Sequence, residues 1–415
     1  MTTGSRFRLG VDFGTTHTVA ALSWPDGRVQ PLLFESNPLL PSAVYASDGR
    51  RLLVGRDAER SSRVDPARFE PNPKRRIDER VVLLGAEEFR TADLVAAVLH
   101  RVYEEAVRVA GGPPAATVLT HPADWAATRL QTLTEAAAQA GIGAVTLVPE
   151  PLAAAAYFSA TLHREVPVGA ALVVYDFGGG TFDISVIRRR PDGGWDVLAT
   201  EGLDDVGGVD LDAAVVERVG ATVSATDPVR WQRLLTAESP EEQRRRRLLW
   251  DEVRAAKEQL SRTSVAVVHV PLFDTDVHLT REEFEQLAKP WLERTVALTA
   301  ATLFRTGLRQ DQVAGVVLVG GSTRIPMVGT LLHQRLGVPP TVLDQPELVV
   351  AQGSLVGTAG RPAAQNATLP FPGPPPVSAP PAAAPGMGPA GPPPDPGPPM
   401  TTTGAAAPPG PAWPG

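Results

Sequence analysis

Two stretches of the chain decide its fold, FRLGVDFGTTHTVAAL over residues 7–22 and ALVVYDFGGGTFDISVI over residues 171–187. In each stretch an apolar strand ends at an Asp, a Phe-Gly pair follows, and a turn rich in Gly and Thr leads into a second strand. Because a strand–turn–strand unit is repeated, the sequence predicts two similar lobes that face one another. We expect the functional site to lie between them.

The segments around these hairpins alternate between helix and strand patterns. Apolar residues recur at helical spacing over residues 91–109, 126–140, 240–261 and 281–304. Short apolar runs typical of strands cover residues 116–119, 145–148 and 313–319. This alternation predicts an α/β architecture. The arginine run 244–247 is expected to be a solvated helix face with charge pairs to preceding glutamates.

The composition separates a globular body from a tail. The 415 residues are 43% hydrophobic and 20% charged, which is the balance of a globular protein. Many of the 42 prolines lie in residues 361–415, where charged residues are almost absent. Such a Pro/Gly/Ala-rich segment cannot bury a core, so we predict a disordered tail. The remaining residues are sufficient for two lobes.

Charge, cysteine content and hydropathy exclude several classes of function. The net charge of −7 gives no basic surface for a polyanion, so we expect no nucleic-acid partner. The absence of cysteine excludes disulfides, thiolate nucleophiles and Cys-ligated metals. We see neither a signal-peptide core nor an apolar run long enough for a membrane span, so we expect a cytoplasmic protein.

The two turns themselves indicate phosphate binding. The only lysines are Lys74, Lys257 and Lys289, and none follows a glycine, so there is no Walker-type phosphate loop. Backbone N–H groups in Gly/Thr turns can form an anion-binding nest. Asp12 and Asp176, facing each other at the strand ends, could hold a hydrated Mg²⁺. Either hairpin alone could be only a tight strand connection, whereas the pair indicates a phosphate site.

Four motifs in order resemble those of the seventy-kilodalton heat-shock chaperones, the DnaK family of actin-like ATPases. They are Leu9–Leu22, Val148–Ala155, Val174–Ile187 and Val316–Met327. The resemblance extends from residue 7 to about residue 358. It implies a two-lobed actin-like ATPase with duplicated ribonuclease-H-like lobes, over residues 1–360. Lobe I would cover about 7–168 and lobe II about 169–345, with the tail at 361–415.

The resemblance assigns the phosphate and metal groups. It implies that ATP or ADP is held by one turn in each lobe, formed by Gly14, Thr15 and Thr16 and by Gly178, Gly179, Gly180 and Thr181. Asp12, Asp176 and Asp183 would organise Mg²⁺, its waters and, as a further candidate, K⁺. These assignments match the nest and carboxylate chemistry inferred from the turns.

The resemblance also implies catalytic residues. Lys74 matches the family's catalytic lysine, which neutralises the γ-phosphate and places the attacking water. Glu150 matches the glutamate that orients this water or accepts its proton, and Asp176 and Thr181 complete the set. The alternative for Lys74 is an incidental surface lysine. The alternative for Glu150 is a carboxylate that is favoured at a helix N-terminus, before Pro151. For Glu150 both roles can coexist.

At the nucleoside end the sequence matches the family only in part. The matching residues are Gly207, Gly208, Lys257, Ser261, Gly320, Gly321, Ser322 and Arg324, the last of which would stack on adenine. Three positions depart from the family pattern. Arg254 stands where a ribose-binding glutamate is common, Glu347 replaces an aspartate, and His17 follows the first turn.

Two hypotheses for function follow from these motifs. In the first, the chain is a slow ATPase whose hydrolysis opens and closes the cleft for a protein partner, either a cochaperone or a client adaptor. In the second, it is a nucleotide-gated scaffold with negligible turnover. Because no β-sandwich pattern follows Gly357, we expect the ATPase module without the family's peptide-binding domain.

Overall fold

The computed structural model describes residues 7–356, apart from the side chain of Pro240. The predicted tail at 361–415 lies outside these residues. Within this range the strands are β1 (Arg8–Phe13), β2 (His17–Ser23), β3 (Val29–Pro31), β4 (Leu39–Pro41), β5 (Val44–Ala46), β6 (Leu52–Val54), β7 (Phe69–Glu70), β8 (Val81–Leu84), β9 (Glu87–Arg90), β10 (Ala116–His121), β11 (Val145–Pro149), β12 (Ala171–Phe177), β13 (Phe182–Arg189), β14 (Trp195–Leu203), β15 (Val265–Val270), β16 (Thr275–Thr280), β17 (Val313–Val319) and β18 (Pro340–Thr341).

The helices alternate with these strands, as the sequence pattern predicts. They are α1 (Arg56–Ser61), α2 (Thr91–Ala110), α3 (Ala127–Gln139), α4 (Glu150–Ala160), α5 (Gly208–Val223), α6 (Pro228–Thr236), α7 (Pro240–Leu260), α8 (Arg281–Arg305), α9 (Pro326–Leu336) and α10 (Val349–Val356). The α/β class is therefore confirmed. The four predicted helices and three predicted strands are all present, with ends that differ by no more than two residues.

The stretch over residues 7–22 forms the centre of one large sheet. Its strand order is β11-β10-β1-β2-β3, with β4 also paired to β2. Strands β1 and β2 are antiparallel, whereas β10 and β11 run parallel to β1. This places the ends of β1, β10 and β11 at one edge of the sheet, where Asp12 and the start of α4 lie.

The stretch over residues 171–187 forms the centre of a similar sheet. The order is β14-β13-β12-β17-β18, and β12 pairs antiparallel with β13 and parallel with β17. The aromatic rings of Tyr175, Phe177 and Phe182 are fully buried there. The Tyr175 hydroxyl also shares a 2.6 Å hydrogen bond with Thr295 Oγ1 on α8. The repeated hairpin is thus present in both sheets, each with a parallel neighbour.

Helix α7 carries three residues that line the cleft, Arg254, Lys257 and Glu258, and is well defined by its own sequence. Ser239 caps its N-terminus and forms a capping box with Glu242. The expected i,i+4 pair is present between Arg245 and Glu241. Arg247, however, is not a solvated residue. Its guanidinium lies 4.7 Å from the ring centre of Phe69 and donates a hydrogen bond to Ser62, because α7 faces the β5–β7 sheet and α1 across the cleft.

Candidate functional site

The first Gly/Thr turn joins β1 to β2 and is held by a neighbouring loop. The Ser42 backbone N–H donates to the Thr16 carbonyl at 2.9 Å, and Ser42 Oγ donates to the Gly14 carbonyl at 2.8 Å. A side chain at Gly14 would collide with the His17 carbonyl. Thr16 Oγ1 is buried without a hydrogen-bond partner among the described residues. A buried, unsatisfied hydroxyl in such a turn fits a site that a polar ligand completes.

The second turn joins β12 to β13 and continues into the N-terminus of α5. The Gly208 N–H donates to the Gly178 carbonyl at 3.1 Å, and the Val209 N–H donates to the Gly179 carbonyl at 2.8 Å. Gly207 packs on this turn, because a Cβ there would lie 2.7 Å from Gly180 Cα. The positive end of the α5 dipole is therefore directed at the glycines, as in anion sites at helix N-termini.

The two turns approach each other across the cleft. A Cβ on Gly180 would lie 2.7 Å from Thr15 Cγ2, and one on Gly179 would lie 3.0 Å from Thr16 Cβ. Arg75 also crosses the cleft and donates to the Gly180 carbonyl and, at 3.2 Å, to the Asp204 carbonyl. The turns therefore need glycine at these positions, and together they form a cradle lined with backbone amides.

Three partly buried carboxylates line the cleft beside the cradle. Burial and then the charge of Glu150 raise the pKa of Asp12 to about 7, and the same two causes raise the pKa of Asp183 to about 7. Burial and the charges of Glu150 and Asp183 raise the pKa of Asp176 well above its usual value. The charge of Lys74 opposes the rise in pKa at all three carboxylates but does not outweigh it. This excess of partly buried negative charge fits a cation at the site.

The carboxylates are not arranged as direct ligands of one ion. Within residues 7–356 no group of three or more His, Asp or Glu side chains is placed to hold a metal ion directly. Thr120 Oγ1 donates to Asp12 at 3.0 Å, and Thr181 Oγ1 donates to Asp183 at 3.2 Å. The residues present therefore fit a hydrated Mg²⁺ held mainly through its waters, which is the usual mode for this ion in phosphate sites.

Lys74 and Glu150 meet at the floor of the cleft. Lys74 Nζ donates to Glu150 Oε1 at 2.9 Å, and both side chains are nearly buried. Burial lowers the pKa of Lys74, but the charges of Glu150 and Asp12 outweigh it, so the pKa is raised. Lys74 is therefore not an incidental surface lysine. Glu150 is also the first residue of α4, so it occupies a favourable helix position as well.

The residues that the sequence assigns to a nucleoside meet around Gly208. A Cβ on Gly208 would lie 2.9 Å from Ser322 Oγ, 3.0 Å from Lys257 Nζ and 3.4 Å from Gly179 Cα. Lys257 Nζ donates to the Gly208 carbonyl at 2.7 Å, and Ser322 Oγ donates to the Gly178 carbonyl at 2.8 Å. The loop that contains Ser322, which we call the base-side loop, and α7 therefore meet directly behind the second turn.

The base-side loop follows β17 and is fixed by its own contacts. Gly320 has a φ of 84°, and a Cβ there would meet the Phe177 carbonyl, so this position requires glycine. Gly321 has open space around it. Arg324 forms an ion pair with Glu347 at 2.8 Å. Ser261, at the end of α7, lines the same side of the cleft.

The structure brings the predicted residues into one cleft of about 740 Å³, a volume typical of small-molecule sites. Nearly all of them line it; Gly207 does not, but it supports the second turn. Sequence reasoning missed Asp212, which is buried and lies 2.8 Å from Lys257, and Trp125, whose ring centre lies 5.5 Å from Lys74 Nζ. No local signal marks either residue, because their partners are distant in sequence.

Comparison with known proteins identifies the family of the chain. The family model described as Hsp70 protein matches residues 53–362, about three quarters of the chain. The chain belongs to the Hsp70 family. The actin-like ATPase fold of this family accounts for the two similar sheets. The resemblance seen in the four sequence motifs is thereby confirmed.

Individual Hsp70 relatives cover the same region. The chain is 31% identical to a chaperone protein HscA homolog of Bordetella petrii over 84% of its length and 57% of the relative. It is also 31% identical to the chaperone protein DnaK of Halobacterium salinarum, over 84% of the chain and 55% of the relative. The chain thus spans little more than half the length of these relatives. No helix in the part of the chain that the structure describes is long and apolar enough to cross a membrane.

Proposed function

We propose that this Hsp70-family chain is an ATP-binding, slowly ATP-hydrolysing chaperone-type module. The observation that carries the proposal is the pair of Gly/Thr turns facing each other above the Lys74–Glu150 ion pair. Backbone amides of both turns would hold the β- and γ-phosphates, and the N-terminus of α5 would add to the attraction. Adenosine would lie between α7 and the base-side loop with Gly320 and Arg324.

The chain's own residues would supply the chemistry. Lys74 would neutralise charge on the γ-phosphate, and Glu150 would orient the attacking water and accept its proton. Thr181 lies at the end of the second turn, where its hydroxyl would contact the phosphate side. Asp12, Asp176 and Asp183 would hold hydrated Mg²⁺, which, when bound, supplies charge neutralisation to the phosphates, and K⁺ is a further candidate there.

In the proposed ATPase cycle the cleft between the two lobes closes and opens. Lobe I, about residues 7–168, and lobe II, about 169–345, would be duplicated ribonuclease-H-like units that close on ATP and open after hydrolysis. A cochaperone or client adaptor would use this motion. The contacts of Arg75 and Arg247 cross the cleft, so such a motion would have to break and re-form them.

A nucleotide-gated scaffold with negligible turnover is the second candidate. It is favoured by one observation, namely that Lys74 and Glu150 are bonded to each other. If this pair kept Glu150 from orienting and deprotonating a water while ATP is bound, turnover would be negligible and the nucleotide would only select the closed state.

Single-turnover ATP hydrolysis with Mg²⁺, beside calorimetric ATP binding, tests the proposal. We expect hydrolysis to disappear in Lys74→Ala and Glu150→Ala while ATP affinity stays within about threefold, since the turns carry most of the binding. Lys289→Ala is the matched control, because Lys289 is an exposed residue of α8. Equal loss of binding and hydrolysis in Lys74→Ala would contradict its role. Binding without hydrolysis in the unmodified protein would favour the scaffold.

A further inference from the structure

The nucleoside end of the cleft carries more positive charge than its own carboxylates neutralise. Four cations line it, from α7 to the base-side loop: Arg254, Lys257, Arg262 and Arg324. Three carboxylates line it as well, those of Asp212, Glu258 and Glu347. Lys257 pairs closely with Asp212, and Arg324 pairs closely with Glu347. This leaves Arg254 and Arg262 facing the cleft with only Glu258 between them.

Among the described residues Arg254 has one ion-pair partner, and that partner is distant. Its Nε lies 3.7 Å from Asp212 Oδ2, whereas Lys257 Nζ lies 2.8 Å from the other oxygen of the same buried carboxylate. Glu59, across the cleft, feels the charge of Arg254 but forms no ion pair with it within residues 7–356. Arg254 lines the cleft, and about two fifths of its side chain is exposed to solvent. A planar guanidinium in this position has donors to offer to a ligand.

Arg262 and Glu258 complete this surface. Arg254 and Glu258 lie four residues apart on α7 and share one side of it, and Arg262 follows in the turn just beyond the helix; all three line the cleft. Neither Glu258 nor Arg262 takes part in an ion pair or side-chain hydrogen bond in the part of the chain that the structure describes, and both are exposed. The two arginines thus flank a single carboxylate, and their combined charge remains positive.

Arg254 lies close to residues of both phosphate turns. Lys257, one helical turn later on α7, touches Gly208 behind the second phosphate turn. On its other side Arg254 acts on His17, which follows the first phosphate turn; burial and then the charge of Arg254 lower the pKa of His17 to about 4. Arg254 therefore lies beside the two turns on the α7 side of the cleft, where a nucleotide held by those turns would place its sugar.

We propose that this cleft selects an adenine nucleotide that carries a phosphate on the 2′ or 3′ position of its ribose, bound by Arg254 and Arg262. The proposal rests on the proposed nucleotide site and names its ligand class. A guanidinium binds phosphate oxygens in a bidentate manner, which a hydroxyl cannot match. The neutral imidazole of His17 is a hydrogen-bonding group beside it that adds no competing charge.

The test is calorimetric binding of three ligands to the full chain with Mg²⁺: ADP, ADP with an added 2′-phosphate, and ADP with an added 3′-phosphate. We expect one phosphorylated form to bind about tenfold or more tightly than ADP, the value of one charge-assisted contact. In Arg254→Gln this preference should fall to about twofold or less. Arg244→Gln, which removes an exposed charge of α7 outside the cleft, should retain it.

The outcomes separate the two proposals. If ADP binds at least as tightly as both phosphorylated forms, the ribose-phosphate proposal is wrong and the nucleotide site stands. If none of the three ligands binds, the proposed function itself fails and this inference fails with it. If Arg244→Gln loses the preference for a phosphorylated form as Arg254→Gln does, the preference depends only on the net charge of the protein. That result would also overturn the proposal.

Discussion

Replacement of Gly207 by alanine tests the architecture of the phosphate cradle without removing any functional group. Gly207 has extended backbone angles that alanine adopts freely, so the substitution introduces no conformational strain. Its new Cβ would lie 2.7 Å from Gly180 Cα and 2.8 Å from the Gly179 carbonyl oxygen. These atoms are backbone and cannot rotate away. The overlap is roughly 1 Å relative to ordinary carbon contacts, so the second turn must move.

The expected cost follows from this overlap. Overpacking of this kind lowers the free energy of unfolding by about 1–3 kcal/mol. A comparable shift of the turn would weaken one charge-assisted hydrogen bond to phosphate, which corresponds to about 10–100-fold weaker ATP binding. Urea unfolding and calorimetry measure the two effects. Gly112→Ala is the control, because a Cβ there meets no atom within 4 Å. Unchanged stability and affinity in Gly207→Ala would show that the two turns do not pack in this way.

Three further predictions concern His17, the cleft rim and the core. The pKa of His17 is lowered to about 4 in the folded chain, whereas an unfolded histidine titrates near 6.5. The neutral His17 side chain therefore contributes stability above about pH 6.5 that should be lost as the pH falls from about 6.5 to 4. Urea unfolding of His17→Gln should lack this part of the pH dependence. Arg247→Ala should speed release of a fluorescent nucleotide several-fold in stopped flow, because its cation–π contact with Phe69 and its hydrogen bond to Ser62 are lost. Arg244→Ala should leave the release rate unchanged. Equal rates in the two variants would show that the Arg247 contacts do not restrain the nucleotide. Tyr175→Phe should lower the free energy of unfolding by about 1 kcal/mol and leave ATP affinity unchanged, because only the hydrogen bond to Thr295 is lost. Weaker ATP binding in this variant would mean that a change in the packing around Tyr175 reaches the cleft.

The parts of the fold that could be predicted are those determined by residues close together in the chain. The hairpins at Asp12 and Asp176 show as apolar strands broken by Gly and Thr, and both turns depend on nearest neighbours in the chain. Helix α7 has its own proline, capping serine and acidic first turn. The short strands β5 to β9 and the helix α1 were not predicted, because runs of two to six residues carry too little periodicity.

The parts of the site that could not be predicted from spacing are its long-range pairs. Lys74 and Glu150 lie 76 positions apart and meet only in the folded chain. The resemblance, rather than any local pattern, put both in one site. The prediction that Arg247 lies in solvent is wrong, because its surroundings depend on how α7 faces Phe69, which is far from it in the chain. Asp212 was missed for the same reason, since its partner Lys257 belongs to another helix.

Calorimetric titration of ATP into the full chain, with Mg²⁺ and again with a chelator, is the decisive experiment for the nucleotide site. We expect one nucleotide to bind per chain with Mg²⁺. We also expect at least roughly tenfold weaker binding without Mg²⁺, because the partly buried carboxylates of Asp12, Asp176 and Asp183 would then repel the triphosphate. Absence of binding with Mg²⁺, or equal affinity with and without it, would contradict a Mg-nucleotide site between the two turns.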